Sequence, residues 1–313
     1  MRISFLPLLP LFVSLCACGV GEGRRLPLMK EAPRIDADLA FSFAEKNASI
    51  VPRHAGSPGA KQSADWIASE AGKLRRFRTE RMEFDDLTPS GKLRFCNIIA
   101  TLPGKSSEHI LVAAHYDTKK FQLFPFEGAN DGASGVGALL AMMTALDGAE
   151  GVPPFTIHFV FFDGEECLLE YGKHDGLHGS RRLASVWKKN GSLAQCRAMI
   201  LLDMIGDRDL NVTIPENSDA LLTRLTLEEA GKLGYGAHFS RSGLSILDDH
   251  VPFLEQGVPS INLIDFEYGP GNRYWHTRAD TLDKISGSSM KTAADTALAL
   301  IWRLAEEQKP RHP

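Results

Sequence analysis

Residues 155–189 read FTIHFVFFDGEECLLEYGKHDGLHGSRRLASVWKK. The run at 155–162 is apolar almost throughout, as in a strand covered on both faces of a sheet, and the segment from Gly179 has helical spacing. Between them stand the adjacent acids Glu165 and Glu166, and twelve residues separate the second acid from Gly179. Two ionised carboxylates at the end of a buried strand repel one another, so the pair predicts a nearby positive group. A divalent metal ion is such a group, with one carboxylate as ligand and the other as base or acid.

The pattern of a short apolar run followed by a helix recurs on both sides of this unit. Further strand-like runs lie at 109–115, 198–205 and 260–264, and helical spacing recurs at 135–146 and 220–233. This alternation predicts a three-layer α/β domain with a mostly parallel central sheet. The remaining predicted elements are helices at 35–46, 61–74 and 288–306, and strands at 77–84 and 93–102 with a turn between them.

Residues 1–17 have the layout of a bacterial signal peptide. Arg2 precedes an apolar run that ends at Leu15, and small residues follow. The run is too short and too broken by proline to span a bilayer. The four residues that end at Cys18 resemble the lipobox of bacterial lipoproteins, which predicts a lipid on Cys18; cleavage by an ordinary signal peptidase is the alternative. We therefore expect an exported protein, either periplasmic or an outer-membrane lipoprotein.

The mature chain is predicted to be one globular domain on a tether. Residues 18–34 contain Gly, Arg and Pro and form the predicted tether, and residues 35–309 contain no repeat or linker and form the predicted catalytic domain. Of all 313 residues, 43% are hydrophobic and 24% are charged, which excludes disordered and fibrous classes. The net charge of −4 comes with scattered Lys and Arg, so the sequence predicts no nucleic-acid partner.

Three cysteines lie beyond the predicted lipidation site, at Cys96, Cys167 and Cys196. Their spacing contains no C-x-x-C pair, so the sequence predicts no cysteine zinc site. At most one disulfide can join them, and their pairing stays open.

Polar side chains follow the ends of the predicted strands. In such sheets ligands bind outside the carboxyl ends of the strands, so these side chains should lie close together. Imidazoles and carboxylates are the ligands of zinc or manganese. The candidates are His115 and Asp117 after the first run, Glu165 and Glu166 after the second, Asp203 at the end of the third, Asp131 in a glycine-rich turn before a helix, and His276 in the loop before the last helix.

Each candidate also has a purely structural interpretation. Asp131 could cap a helix, Asp203 could belong to a turn, and His276 could lie in a surface loop. His158 lies within an alternating strand and is predicted to be a hydrogen-bonded core residue rather than a ligand. The convergence of several candidates on one edge of the sheet favours a metal site.

Seven motifs carry a resemblance to a known family. In order and approximate spacing, the chain resembles the zinc aminopeptidase family that also contains the animal-type glutaminyl-peptide cyclotransferases, over about residues 40–308. The resemblance implies a three-layer α/β/α fold around a mixed, mostly parallel sheet. The motifs are HYDT at 115–118, GANDGASGVG at 128–137, FFDGEE at 161–166, GSRRLA at 179–184, LLDMIG at 201–206, DDHVPFLEQGVP at 248–259 and WHTRADTLDKI at 275–285.

The two branches of this family imply different uses of the same residues. In the cyclotransferases, the matching positions Asp131, Glu166 and His276 hold one zinc. The matching Glu165 shuttles a proton there, while Asp203 and Asp249 form a hydrogen-bonded acidic network. In the two-zinc aminopeptidases Glu165 is the general base, Asp131 bridges the metals, and the ligands are His115, Asp131, Glu166, Asp203 and His276.

Three features favour the cyclotransferase branch. The interval after Glu166 is twelve residues, as in the cyclotransferases, where the aminopeptidases usually have four or five. The pair Asp248-Asp249 matches the double acid of the cyclotransferases, although either residue could cap the following helix. Trp275 supplies an apolar wall for a glutamine side chain.

Two positions depart from the animal cyclotransferases. Tyr171 stands where they have a pocket tryptophan, and Ala114 where they have a disulfide cysteine. Tyr171 and Trp275 are the predicted substrate-binding residues.

The sequence therefore predicts a zinc-dependent acyltransferase that converts the N-terminal glutamine of peptides or proteins to pyroglutamate and releases ammonia. The alternative is an aminopeptidase with a second zinc on His115 and Asp203. The third interpretation is a binding protein of the same fold without activity.

Overall fold

The computed structural model describes residues 27–307, which fold around a six-stranded sheet. A two-stranded sheet stands beside it. The strands are β1 (Arg78–Thr88), β2 (Gly91–Leu102), β3 (Ser106–His115), β4 (Phe155–Phe162), β5 (Cys196–Asp203), β6 (Val212–Ile214), β7 (Phe239–Arg241) and β8 (Ser260–Ile264). The helices are α1 (Ala37–Ala48), α2 (Pro58–Gly72), α3 (Ala133–Gly148), α4 (His178–Asn190), α5 (Ala220–Lys232), α6 (Val251–Leu254) and α7 (Gly287–Glu307).

The large sheet has the order β1-β2-β4-β3-β5-β8. Strands β4, β3, β5 and β8 are parallel, whereas the hairpin of β1 and β2 joins β4 in antiparallel fashion. The sheet is therefore mixed and mostly parallel, as predicted. The carboxyl ends of the four parallel strands lie along one edge.

Helices cover both faces of the sheet. Along β3, Ile110 and Val112 contribute to one apolar cluster with α1, α3, α5 and α7, whereas Leu111 and Ala113 contribute to a second cluster with α4 and α6. Because successive strand residues point to opposite faces, a continuous apolar run is what a strand between two helix layers requires. The predicted three-layer α/β/α fold is confirmed.

Side-chain caps mark the starts of α1 and α2. The Asp36 side chain accepts a hydrogen bond from the backbone N–H of Leu39 at the start of α1. Ser57 does the same for Ala60 at the start of α2, where proline stands in the first turn. Strands β6 and β7 have three residues each and were not predicted, because so short a segment has no readable periodicity.

The predicted signal peptide and residues 18–26 of the predicted tether lie outside the described residues. Residues 27–34 lie against the domain: the backbone N–H of Met29 donates to the carbonyl of Val152 at 2.9 Å, and the Met29 side chain is buried in the main core. The packed chain thus begins before residue 35. No helix within residues 27–307 is long and apolar enough to cross a membrane.

The three cysteines whose pairing the sequence left open are all buried and free. Cys96 lies in β2, Cys196 begins β5, and Cys167 lies in the loop after β4. None of these three cysteines forms a disulfide in the structure.

Candidate metal centre and active site

Acidic and imidazole side chains from five loops and strand ends meet at the carboxyl edge of the sheet. The Nε2 atom of His276 lies 3.0 Å from Oε1 of Glu166 and 3.1 Å from Oδ2 of Asp131. One ligand atom from each of the three residues lies within 4.8 Å of the others. This is the group that the cyclotransferase resemblance assigns to a single metal.

A second group shares Asp131. The Nε2 atom of His115 lies 3.1 Å from Oδ1 of Asp203 and 3.3 Å from Oδ1 of Asp131. These ligand atoms also lie within 4.8 Å of one another. The two carboxylate oxygens of Asp131 face different histidines, so the arrangement accommodates either one metal or two metals bridged by Asp131.

The residues fit a divalent cation. Oε2 of Glu166 is buried and has no hydrogen-bond partner among the described residues. Burial and the charge of Asp131 raise the pKa of Glu166. Burial opposes the charged form of His276, but hydrogen bonds to Asp131 and Glu166 raise its pKa to about 10. Oxygen and imidazole donors in so negative a field are the ligand set that zinc takes.

Asp117 positions this centre without joining either metal group. Its Oδ1 and Oδ2 accept hydrogen bonds from the backbone N–H groups of Glu165 and Glu166, at 3.0 and 3.3 Å. Its backbone carbonyl lies 3.1 Å from Nδ1 of His115, and its carboxylate lies 3.8 Å away. The contact directs Nε2 of that ring towards the acids, which is the usual role of a group behind a histidine ligand.

Sequence reasoning missed two residues that hold the turn before α3. Asp280 accepts hydrogen bonds from the backbone N–H groups of Asn130 and Asp131, at 2.8 and 3.2 Å. Buried Arg53 donates to the carbonyls of Tyr116, at 3.0 Å, and Gly128, at 2.6 Å. Both charged residues are buried, but their burial becomes visible only in the structure. The sequence did not identify them because both lie far along the chain from the turn that they hold.

The turn itself requires glycine at Gly132. Its φ is 95°, and a Cβ there would lie 2.8 Å from the backbone oxygen of Asp117 and 3.2 Å from a ring carbon of His115. Only glycine allows this approach. The close contact brings Asp131 against His115.

Glu165 lines the cavity but belongs to neither metal group. The hydroxyl of Tyr171 lies 3.0 Å from Oε1 and 3.1 Å from Oε2 of Glu165, and donates to this carboxylate. Burial, and next the charge of Asp248, raise the pKa of Glu165 well above its usual value. The two adjacent acids of the sequence thus have separate surroundings.

Of the double acid, Asp248 rather than Asp249 reaches the cavity wall. Its Oδ2 accepts a hydrogen bond from the side chain of Asn262 at 2.7 Å. Asp249 is fully buried, and burial raises its pKa to about 7. Neither of these side chains caps the N-terminus of α6, where the N-cap position is His250 and no side-chain cap is formed. The sequence resemblance had assigned the network position to Asp249.

The cavity above these acids has a volume of about 570 Å³. Trp275 lines it, stacking on His276 with a centroid distance of 4.2 Å and contacting Phe266 at 4.9 Å. Tyr171 also lines the cavity. The other apolar lining residues, which sequence reasoning did not identify, are Met204, Leu244, Ile246, Leu247, Ile264 and Phe266.

A larger cavity of about 620 Å³ lies between residues 29–34, α5 and α7. It shares no lining residue with the first and contains none of the metal-capable groups. The chemistry therefore belongs to the smaller cavity.

Comparison with known proteins accounts for this combination of fold and acids. Residues 97–301 match the model of Peptidase family M28. The chain belongs to peptidase family M28. The glutaminyl-peptide cyclotransferase of Drosophila melanogaster is 31% identical over 281 residues, which cover 82% of this M28 chain and 76% of the relative.

Two solved structures share the fold of this M28 chain. A glutaminyl cyclase of an Acidobacteriales bacterium has a TM-score of 0.83 and 34% identity, and the match covers 89% of this chain and 98% of the other. A Zn-dependent exopeptidase from Parabacteroides distasonis has a TM-score of 0.75 and 27% identity, and the match covers 87% and 99%. The family resemblance predicted from the seven motifs is confirmed.

Proposed function

We propose that this chain is a zinc-dependent glutaminyl-peptide cyclotransferase, which cyclises an N-terminal glutamine to pyroglutamate and releases ammonia. The names of its relatives support this activity. The observation that carries the proposal is Glu165, a buried carboxyl group at the cavity wall, held by Tyr171 and outside both metal-capable groups. A free carboxyl beside a metal site is the proton carrier that this reaction needs.

Different residues would bind the metal and transfer the proton in this reaction. Asp131, Glu166 and His276 would hold the zinc, which when bound polarises the γ-amide carbonyl of the substrate. The α-amine of the substrate is the nucleophile, so no water has to be activated. Glu165 accepts a proton from that amine and delivers it to the departing amide nitrogen.

The cavity lining orients the glutamine. Trp275 and Phe266 form an apolar wall for the methylene groups of its side chain. Asp203 and Asp248 line the same cavity as Glu165, and the charge of Asp248 raises the pKa of Glu165 while that of Asp203 raises the pKa of Asp248. Carboxylates coupled in this way cannot all be ionised, so at least one proton is shared among them. We assign this network position to Asp248 in place of Asp249, because Asp248 lines the cavity.

The test is a peptide with N-terminal glutamine, with pyroglutamate and ammonia measured as products. Glu165→Gln should lose turnover and retain its zinc, measured by elemental analysis. Glu267→Gln is the matched control, because Glu267 also lines the cavity but is exposed, and it should retain most of the activity. Turnover by Glu165→Gln near the wild-type rate would contradict the assignment.

One observation favours a two-zinc aminopeptidase as the second candidate. The group of His115, Asp131 and Asp203 has the ligand geometry of a second metal site beside the first. Release of the anilide from a leucine anilide, with two zinc ions per chain, would support this activity. Absence of both activities would support a non-catalytic binding protein.

We further propose that the protein is exported and carries a lipid on Cys18. The support is the sequence of residues 1–18 alone. Metabolic labelling with a fatty-acid analogue should mark the wild-type chain and the Cys16→Ser control but not Cys18→Ser. Unchanged labelling of Cys18→Ser would contradict the proposal.

A further inference from the structure

A lysine and a cysteine lie in unusually close contact beside the metal centre. Nζ of Lys119 lies 2.7 Å from Sγ of Cys167 and donates to the backbone carbonyl of Cys167 at 2.8 Å. Lys119 follows β3 and Cys167 follows β4, so two different loops contribute the pair. Cys167 is a free, buried thiol.

The separation is too short for an ordinary hydrogen bond to sulfur. Nitrogen-to-oxygen hydrogen bonds span about 2.7–3.2 Å. Sulfur has a larger radius than oxygen, so a hydrogen-bonded sulfur lies further from its donor. Nitrogen and sulfur joined through one bridging oxygen by two single bonds would stand at about the distance seen here.

We propose that Lys119 and Cys167 form a covalent nitrogen–oxygen–sulfur bridge when the protein meets a peroxide. One peroxide oxidises the thiol to a sulfenic acid and leaves as water. A second peroxide takes two electrons as the amine nitrogen bonds to the sulfenic oxygen, and two further waters leave. The amine and the thiol together lose two hydrogens and gain one oxygen, and the ammonium also releases its extra proton to solvent.

Open space adjoins the pair on the lysine side. Lys119 lines a cavity of about 360 Å³ together with Thr118 and Phe121, so a small oxidant can approach Lys119, which contacts the thiol of Cys167. Among the described residues, Cys96 and Cys196 have no lysine as a hydrogen-bond partner. The bridge should therefore form at Cys167 and not at the other thiols.

The bridge would act on the metal centre in two ways. It would join the loop after β3 covalently to the loop after β4. It would also remove the positive charge that lies 3.7 Å from Oε2 of Glu166. Oxidation and reduction would thus change the electrostatic field at a candidate metal ligand.

The test is peptide mapping by mass spectrometry of the wild-type chain, treated with hydrogen peroxide and digested without reductant. We expect a cross-linked peptide pair containing Lys119 and Cys167, heavier by one oxygen and lighter by two hydrogens, that dithiothreitol separates. Cys167→Ser and Lys119→Arg should lack it. The matched controls Cys96→Ser and Lys120→Arg should retain it.

Three results would overturn the proposal. Cys167 could remain a free thiol while methionines become sulfoxides, which would show a close contact only. It could be recovered as sulfinic or sulfonic acid without linkage to Lys119. It could also form a cross-link that lacks the added oxygen, which would indicate a direct sulfur–nitrogen bond. Each readout comes from the wild-type chain, so a variant that fails to fold leaves the test decisive.

Discussion

Glu165 and Glu166 are neighbours in sequence, but the fold gives them different partners. Oε1 of Glu166 lies 3.0 Å from Nε2 of His276. Glu165 instead receives the hydroxyl of Tyr171 and borders the cavity. One residue can therefore bind a metal while the other carries a proton. Asp117 makes this division possible, since it holds the backbone of both acids from behind.

Tyr171→Phe tests how Glu165, the proposed proton carrier, is positioned. Loss of the hydroxyl removes a hydrogen bond to a carboxylate, an interaction of about 1.5–3 kcal/mol, so kcat/KM should fall by roughly 10- to 100-fold. Zinc content should not change, because Tyr171 contributes no metal ligand. Steady-state kinetics with a glutamine-initiated peptide give the answer.

Tyr235→Phe is the matched control. Its hydroxyl also donates to a carboxylate, Oδ2 of Asp295 at 3.3 Å, but Tyr235 does not line the catalytic cavity. It should retain wild-type kcat/KM. Equal activity of the two variants would show that Tyr171 does not position Glu165.

At the scale of elements, the loop between β4 and α4 is an ordered structure built on one acid. The carboxylate of Asp175 accepts hydrogen bonds from the backbone N–H groups of Leu168, Leu169 and Glu170, at 2.6, 2.8 and 3.1 Å. The long interval seen in the sequence is therefore folded on itself. The fold of the loop brings Tyr171 to Glu165.

Asp175→Ala should loosen this loop without unfolding the domain. Three backbone donors lose their shared acceptor, at a cost of about 1.5–3 kcal/mol for each hydrogen bond, so trypsin should cleave after the exposed Lys173 faster than in the wild type. We expect kcat/KM to fall as Tyr171 moves away. Asp209→Ala, at an exposed acid, is the control. Unchanged cleavage after Lys173 would mean that the carboxylate does not order the loop.

At the scale of the whole molecule, a bound metal should contribute to stability. The centre gathers buried carboxylates from several loops, and a cation that binds only the folded state stabilises it by about 2.7 kcal/mol at 100 times its dissociation constant. Chelation should therefore lower the melting temperature, and added zinc should restore it. Differential scanning calorimetry provides the measurement.

Asp131→Asn and Asp36→Asn separate this effect from unspecific damage by the chelator. Asp131 is shared by both ligand groups, so its variant should respond weakly to the chelator. Asp36 caps α1 and its variant should respond like the wild type. A melting temperature that survives complete removal of zinc would contradict the prediction.

The pH dependence of folding should reflect a half-buried histidine in β4. Burial, and next the charge of His109, lower the pKa of His158 to about 4 from the ordinary histidine value of 6.5. Between these pH values the unfolded chain binds more protons at this position, so the free energy of unfolding falls as pH falls from 6.5 to 4, by up to about 3 kcal/mol.

His158→Gln should flatten this slope. Its side chain can still bond to Thr101, whose hydroxyl lies 2.9 Å from Nδ1 of His158. Urea unfolding of wild type and variant across this pH range measures the difference. His238→Gln, at an exposed ring, is the control and should keep the wild-type slope. Parallel slopes for wild type and His158→Gln would refute the expectation.

Much of the fold was predictable because its signals are local. The apolar runs at 109–115 and 155–162 predicted β3 and β4, since a strand between two helix layers must be apolar on both faces. The order of strands and helices then brought the polar residues at the strand ends to one edge. Strands β6 and β7 were not predicted, because a segment of three residues is too short to show a hydrophobic periodicity.

The sequence by itself determined the succession of the longer strands and helices, the family, and the edge of the sheet that carries the acids. Only the tertiary structure decided which side chains meet there. It chose Asp248 over Asp249 for the cavity, and it brought Lys119 to Cys167 across 48 positions of the chain. The physical reason is that periodicity and capping act within a few residues, whereas the contacts of a loop side chain depend on how separate elements pack.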